Sequence, residues 1–233
     1  MPTYALYLES GPQHKTTMAH VLSLPGAISF APTTDEAVAR APDAIRAYLR
    51  YLKRHGEGVD PNEEIRTRVA EHVTEGGFIG TTFFEPDLAP VRPGEVKRWA
   101  TWLEWSRADL LRLVSKLDAG QLAAKPAKGR AIGDILAHVL DADRSYVYSV
   151  LGAVKSIGDP TNAALKGALE LRVALRNERR AAVARLRATT SAERRVVKGT
   201  GGGTRTMRRA FRRMLEHEWE HRREIAARLG VEA

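Results

Sequence analysis

From Val96 onward the apolar residues of this chain recur three and four apart, as Val96, Trp99, Leu103, Leu110, Leu113 and Leu117, with Ser106 in the same register. That alternation averages the 3.5-residue period of a helix laid against other helices. Trp102 and Trp105 widen the face. A second pattern of this kind covers 132–154, a third 161–188 and a fourth 205–229. The stretches 125–129 and 198–204 read as loops, the second a flexible one, and Gly158-Asp159-Pro160 reads as a chain break. Four amphipathic helices of this length predict a four-helix bundle over 95–233.

Upstream the period is different. Tyr4 to Leu8, residues 16–22 and Ile28 to Phe30 are short apolar runs that suit strands, with Leu24-Pro25-Gly26 as a turn between the last two. Thr33 and Glu36 fit a capping box, and a helix follows to about His55. A fourth strand is expected between Ile65 and Val73, then a short apolar piece at Phe83-Phe84. The expected first domain is therefore a small α+β unit, β-β-β-α-β, over 1–85. Residues 86–94, rich in proline, read as a stiff linker to the all-α second domain.

Charge divides the chain in the same way. Residues 1–90 carry 8 Lys+Arg against 12 Asp+Glu, and the remainder carries 29 against 16. There is no cysteine, which excludes disulfides, thiolate metal sites and a cysteine nucleophile. No apolar run is long enough for a membrane span and the N-terminus lacks a signal pattern, so a cytoplasmic location is the expectation.

His217 and His221 stand four apart in the fourth helix, on one face and one turn from each other. They share the stripe Phe211, Met214, His217, His221, Ile225, the face expected to be buried. His138 takes a similar place on the second helix, in the stripe Ile135, His138, Val139, Ala142, Tyr146. If the two helices face each other, three imidazoles converge in the bundle interior. Neutral imidazole is a good ligand for a divalent metal, and three leave coordination positions open. Glu224, three residues past His221, is placed to orient a ligand or to pair with Arg228; Tyr146 is placed to line the pocket or to pack. His14, His20, His55 and His72 share no spacing and read as structural or exposed. Gly201-Gly202-Gly203 before a helix lacks the ending of a phosphate loop and reads as an ordinary loop. Arg205, Arg208, Arg209 and Arg212 read as a solvated basic face with little aromatic interleaving, so dedicated nucleic-acid binding is not expected.

Residues 94–229, with GDILAHVLDADRSY around His138 and LEHEWEHRREI around His217 and His221, resemble the DinB/YfiT superfamily of four-helix metal-binding proteins. The resemblance makes His138, His217 and His221 metal ligands, with zinc or nickel as the expected ion. Related members include thiol-dependent transferases and isomerases that use mycothiol, bacillithiol or glutathione. The resemblance thus implies a metal-dependent enzyme of the thiol-transferase, isomerase or hydrolase type, with a small-molecule substrate and a low-molecular-weight thiol as cofactor. Such bundles often pair as homodimers. Residues 19–57, with the LPG turn, the T-x-x-E-A helix start and an alanine-rich helix, resemble the HicB-like antitoxin fold. No DNA-binding segment of the antitoxin type and no nuclease-like carboxylate cluster accompanies it. The alternative expectation is a regulatory or interaction protein, in which the metal is structural and the HicB-like half binds a protein or RNA partner.

Overall fold

The computed structural model describes residues 3–11, 16–75, 80–200 and 203–232. The chain divides into two compact units, Met1–Ala89 and Pro90–Ala233.

In the first unit, β1 (Thr3–Glu9), β2 (Thr17–His20) and β3 (Ile28–Ala31) precede α1 (Thr34–Arg54), and β4 (Arg66–Val73) follows it. The sheet order is β3-β2-β1-β4, with β4 parallel to β1 and the other pairs antiparallel. The Thr33 hydroxyl starts α1 by accepting from the Glu36 N–H at 3.3 Å. Leu6, Leu8, Met18, Ile28, Ile45, Tyr48, Leu49 and Leu52 are buried where α1 lies over the sheet. Gly26 in the turn before β3 has φ of +110°, and a Cβ there would collide with the Tyr48 phenol, so the LPG turn admits no other residue without rearrangement. His20 is fully buried and lies 3.0 Å from Glu9, while His72 bonds to Ser10 at 2.8 Å and His55 ends α1. His14 lies outside the described residues.

The second unit contains α2 (Pro93–Leu113), the short α3 (Ala119–Ala123), α4 (Ile132–Leu151), α5 (Lys155–Leu165), α6 (Leu171–Arg187), the short α7 (Ser191–Arg194), the hairpin strands β5 (Val197–Thr200) and β6 (Gly203–Thr206), and α8 (Met207–Leu229). The four long helices form a bundle: α2 packs on α6 and α8, and α4 packs on the same two. Leu110, Ile135, Val139, Ala174, Leu175 and Ile225 meet in its apolar core.

Several boundaries differ from the periodicity reading. Within the expected linker, Glu85–Leu88 is a 3-10 turn, and Pro93 already opens α2. A proline at the first helical position loses nothing, because its N–H would have no partner there. Gly158-Asp159-Pro160 does not break the chain but lies inside α5. Pro160 removes the N–H that would pair with the carbonyl of Ser156, and Ser156 is an exposed residue. The true break follows α5 at Gly167, with φ of +73°. The expected flexible connection before α8 is instead the β5–β6 hairpin, paired from Val197↔Thr206 to Thr200↔Gly203. Two residues between paired β-formers are a hairpin signal that the glycine run masked; Gly201 and Gly202 themselves lie outside the described residues. The basic face of α8 is not solvated either. Arg209 and Arg212 are buried, Arg212 bonds Glu216 at 3.2 Å, and Arg208 reaches Glu95 of α2 at 2.9 Å.

Candidate metal centre

α8 is buried on most of its circumference, and its stripe holds as read: Phe211, Met214 and Ile225 are fully buried, while His217 and His221 are each 6% exposed. α4 buries a different stripe. Ile135, Leu136, Val139, Leu140 and Asp143 face inward, and His138 is exposed. The three imidazoles therefore meet at the α4–α8 edge of the bundle, open to solvent on the His138 side, and not in its interior. Leu136 and Val139 are what turn α4 this way, since they fill the core that His138 would have entered.

The geometry brings the expected trio together. His217 Nε2 lies 2.9 Å from His138 Nε2 and 3.2 Å from His221 Nε2. One donor atom from each residue falls within 4.8 Å of the others. Nitrogens bound to one ion at about 2.0–2.1 Å stand roughly 2.9–3.4 Å apart in octahedral to tetrahedral arrangements, with about 4.2 Å as their upper limit. These two separations fit, and the exposed His138 ring is the one free to close the third.

His221 Nδ1 is 2.9 Å from Glu224 Oε2, so that nitrogen carries the proton and donates it, leaving the Nε2 lone pair for the cluster. Glu224 pairs with Arg228 as well. The Tyr146 ring stands edge-on to His217 at 5.9 Å, half-buried. Burial, then the neighbouring His221 and Arg213 charges, hold His217 well below the usual imidazole range. Burial also lowers His138 and His221, against the pull of Glu224 on the latter. Three imidazoles whose burial favours the neutral form, with their Nε2 atoms gathered at one point, are a donor set that suits a divalent ion.

The bundle interior holds something the sequence reading missed. Each long helix sends a charged side chain to one buried network: Arg107 from α2, Asp143 from α4, Glu178 and Arg179 from α6, Glu218 from α8, all with side chains at most 3% exposed. Arg107 donates to Glu218 at 2.5 Å, to Asp143 at 2.5 Å and to Glu178 at 3.3 Å, while Arg179 donates to Glu218 at 2.9 Å and also to Asp143. Burial raises Glu178 to about 7, helped by Asp143. Burial raises Glu218 as well, but Arg107 and Arg179 outweigh it and hold that carboxyl low. Three carboxylates share two guanidiniums, so the network is neutral when one proton resides on it. No local signal marks these residues, because Arg and Glu at helical spacing look the same whether buried or solvated.

The raised Glu178 makes the bundle's stability depend on pH with a definite sign. Its stabilising contribution is complete below the ordinary 4.5 of an unfolded glutamate and is lost as pH rises through about 7. Glu178→Gln copies the neutral form and keeps an acceptor for Arg107. Melting curves followed by circular dichroism are expected to match wild type near pH 5 and to lie above it at pH 8. A variant melting in parallel with wild type at both values would place the proton elsewhere.

No curated protein and no solved structure matches this chain. A family model described as the DinB superfamily matches residues 103–225, just over half of the chain, from within α2 to within α8. That span holds the three clustered histidines and all five residues of the buried network. The chain belongs to the DinB superfamily.

Proposed function

We propose that His138, His217 and His221 bind one divalent ion, zinc or nickel, and that the bundle is a metal-dependent enzyme of the thiol-transferase, isomerase or hydrolase type. The observation that carries the reading is the convergence of three imidazole nitrogens at an edge where one ring faces solvent. A divalent ion held there would supply Lewis acidity and a lowered pKa for a water or thiol at an open position. The protein's own groups serve that chemistry. Glu224 fixes the His221 tautomer, Tyr146 limits movement of the His217 ring, and the exposed His138 side leaves an entry for a small molecule. Arg130 places positive charge near all three rings, which favours an approaching thiolate or another anion over a cation.

The test is turnover by untagged, zinc- or nickel-loaded protein. Mycothiol, bacillithiol and glutathione would each be offered with 1-chloro-2,4-dinitrobenzene, and a nitrophenyl ester would be offered alone. Metal-dependent product formation, absent from the His217→Ala protein, is the expected result. Stoichiometric metal with no rate above background for any pair would sink the catalytic reading.

That outcome would favour the second reading, a regulatory or interaction protein with a structural metal. It draws on the β-β-β-α-β order of the first unit, which agrees with a HicB-like fold, and on the acidic balance of that half. A pull-down at gentle salt that recovered neither protein nor RNA would count against it.

A further inference from the structure

Around the bundle the long helices follow the order α2, α6, α4, α8, so the α2–α6 edge is the one opposite the three histidines. A cleft of about 550 Å³ opens along it. That volume is within the range of small-molecule sites, roughly 300–1,000 Å³. Its lining combines an apolar strip, Ala108 and Leu111 of α2, with guanidinium groups from both helices and one carboxylate, Glu104. Arg107 and Arg179 belong to the buried network; Arg176 and Arg180 are exposed at the mouth.

The charges at this cleft are not balanced locally. Arg176 and Arg180 stand one turn apart on α6, a like-charge spacing that destabilises a helix. Neither has a carboxylate partner among the described residues; Arg180 meets only the Asn177 amide, at 3.2 Å. The nearby carboxylates are already engaged, Glu104 by Arg187 at 2.7 Å and Asp109 by Arg112 at 2.6 Å. Arg179 is almost wholly buried, its guanidinium bonded to Asp143 and Glu218. An exposed guanidinium without a carboxylate partner is the complement of a carboxylate or phosphate oxygen.

We infer that the α2–α6 cleft is a binding site for a small organic anion, a carboxylate or phosphate carried on an apolar body. The anionic head sits between Arg176 and Arg180, and the body lies along Ala108 and Leu111. A cleft of this volume with two exposed guanidiniums suits a small molecule better than a polymer, which needs a long basic track. The site stands independently of the metal reading, because none of its residues is on α4 or α8.

The experiment uses the full chain and the probe 8-anilinonaphthalene-1-sulfonate, with the uncharged N-phenyl-1-naphthylamine as its control. Saturable fluorescence enhancement at one site per chain is expected, with affinity falling as salt rises. The double variant Arg176→Glu/Arg180→Glu, both positions exposed, is expected to weaken the sulfonate at least tenfold and to leave the uncharged probe unchanged. Leu111→Trp fills the cleft without changing its charge and is expected to abolish binding of the sulfonate. Displacement by benzoate or by inorganic phosphate then tells which head the cleft prefers. Sulfonate affinity within twofold of wild type in either variant, or equal affinity for the uncharged probe, would overturn the proposal.

Discussion

His217→Ala is expected to lower the affinity for zinc and nickel well beyond a hundredfold, measured by competition with a chromophoric chelator. His217 is the central member of the trio: its Nε2 is within 3.2 Å of both other rings, so its loss leaves two nitrogens that no longer share a neighbour. Alanine is the best helix former, and helix content by circular dichroism is expected to be unchanged. Glu224→Gln provides the graded comparison. It keeps a hydrogen-bond acceptor for His221 Nδ1 but removes the charge, and such outer-shell changes cost about 10–100-fold in metal affinity. The ordering matters more than either value. Equal effects of the two variants would mean that His217 is not a ligand. An unaltered affinity in His217→Ala would remove the metal assignment altogether.

Arg107→Met is expected to destabilise the bundle by about 3–5 kcal/mol, the range for removing one partner of a buried ion pair. Arg107 bonds to three carboxylates and to the Leu175 carbonyl at 2.7 Å. Its burial disfavours the charged form, but Glu218, Asp143 and Glu178 outweigh that and keep it ionised. Without it three buried carboxyl groups are left to Arg179 alone. At about 2–4 °C per kcal/mol for a chain of this size, the melting temperature should fall by roughly 6–20 °C. The deficit has a pH signature. It should shrink at pH 5, where the orphaned carboxyls take up protons, and widen at pH 8. A loss independent of pH would indicate that packing of the arginine stem, and not its charge, stabilises the bundle. The same network gives α2, α4, α6 and α8 one shared polar centre, and Glu218 is the chain neighbour of His217. Its integrity therefore bears on how precisely the α8 histidines are held.

The relation between sequence and structure separates by the range of the interaction. Features set within one or two turns were legible. His217 and His221 share a face because four residues make just over one turn of helix, whatever surrounds them. Thr33 caps α1 and Gly26 turns the chain for equally local reasons. The apolar period of α2 and α8 announced helices that bury one face, and those faces are buried.

What required a partner distant in sequence was not legible. His138 shares its stripe in the sequence with Ile135 and Val139, yet it lies at the exposed rim, because the rotation of α4 is set by how Leu136, Leu140 and Asp143 pack on helices far along the chain. The α5 helix runs through Gly158-Asp159-Pro160 at a place where Ser156, whose carbonyl loses its donor, is exposed. The buried charges are the clearest case. Arg107, Asp143, Glu178, Arg179 and Glu218 each favour water taken singly, so residue type alone assigns them to the surface. Their burial depends on bonds between residues up to 111 positions apart. Sequence by itself therefore determined the helical character of the second unit and which histidines could act together, though it read α5 and α6 as one helix. The tertiary structure alone decided where those histidines open to solvent and which charges leave it, because pairing free energy exists only once the partner helix is in place.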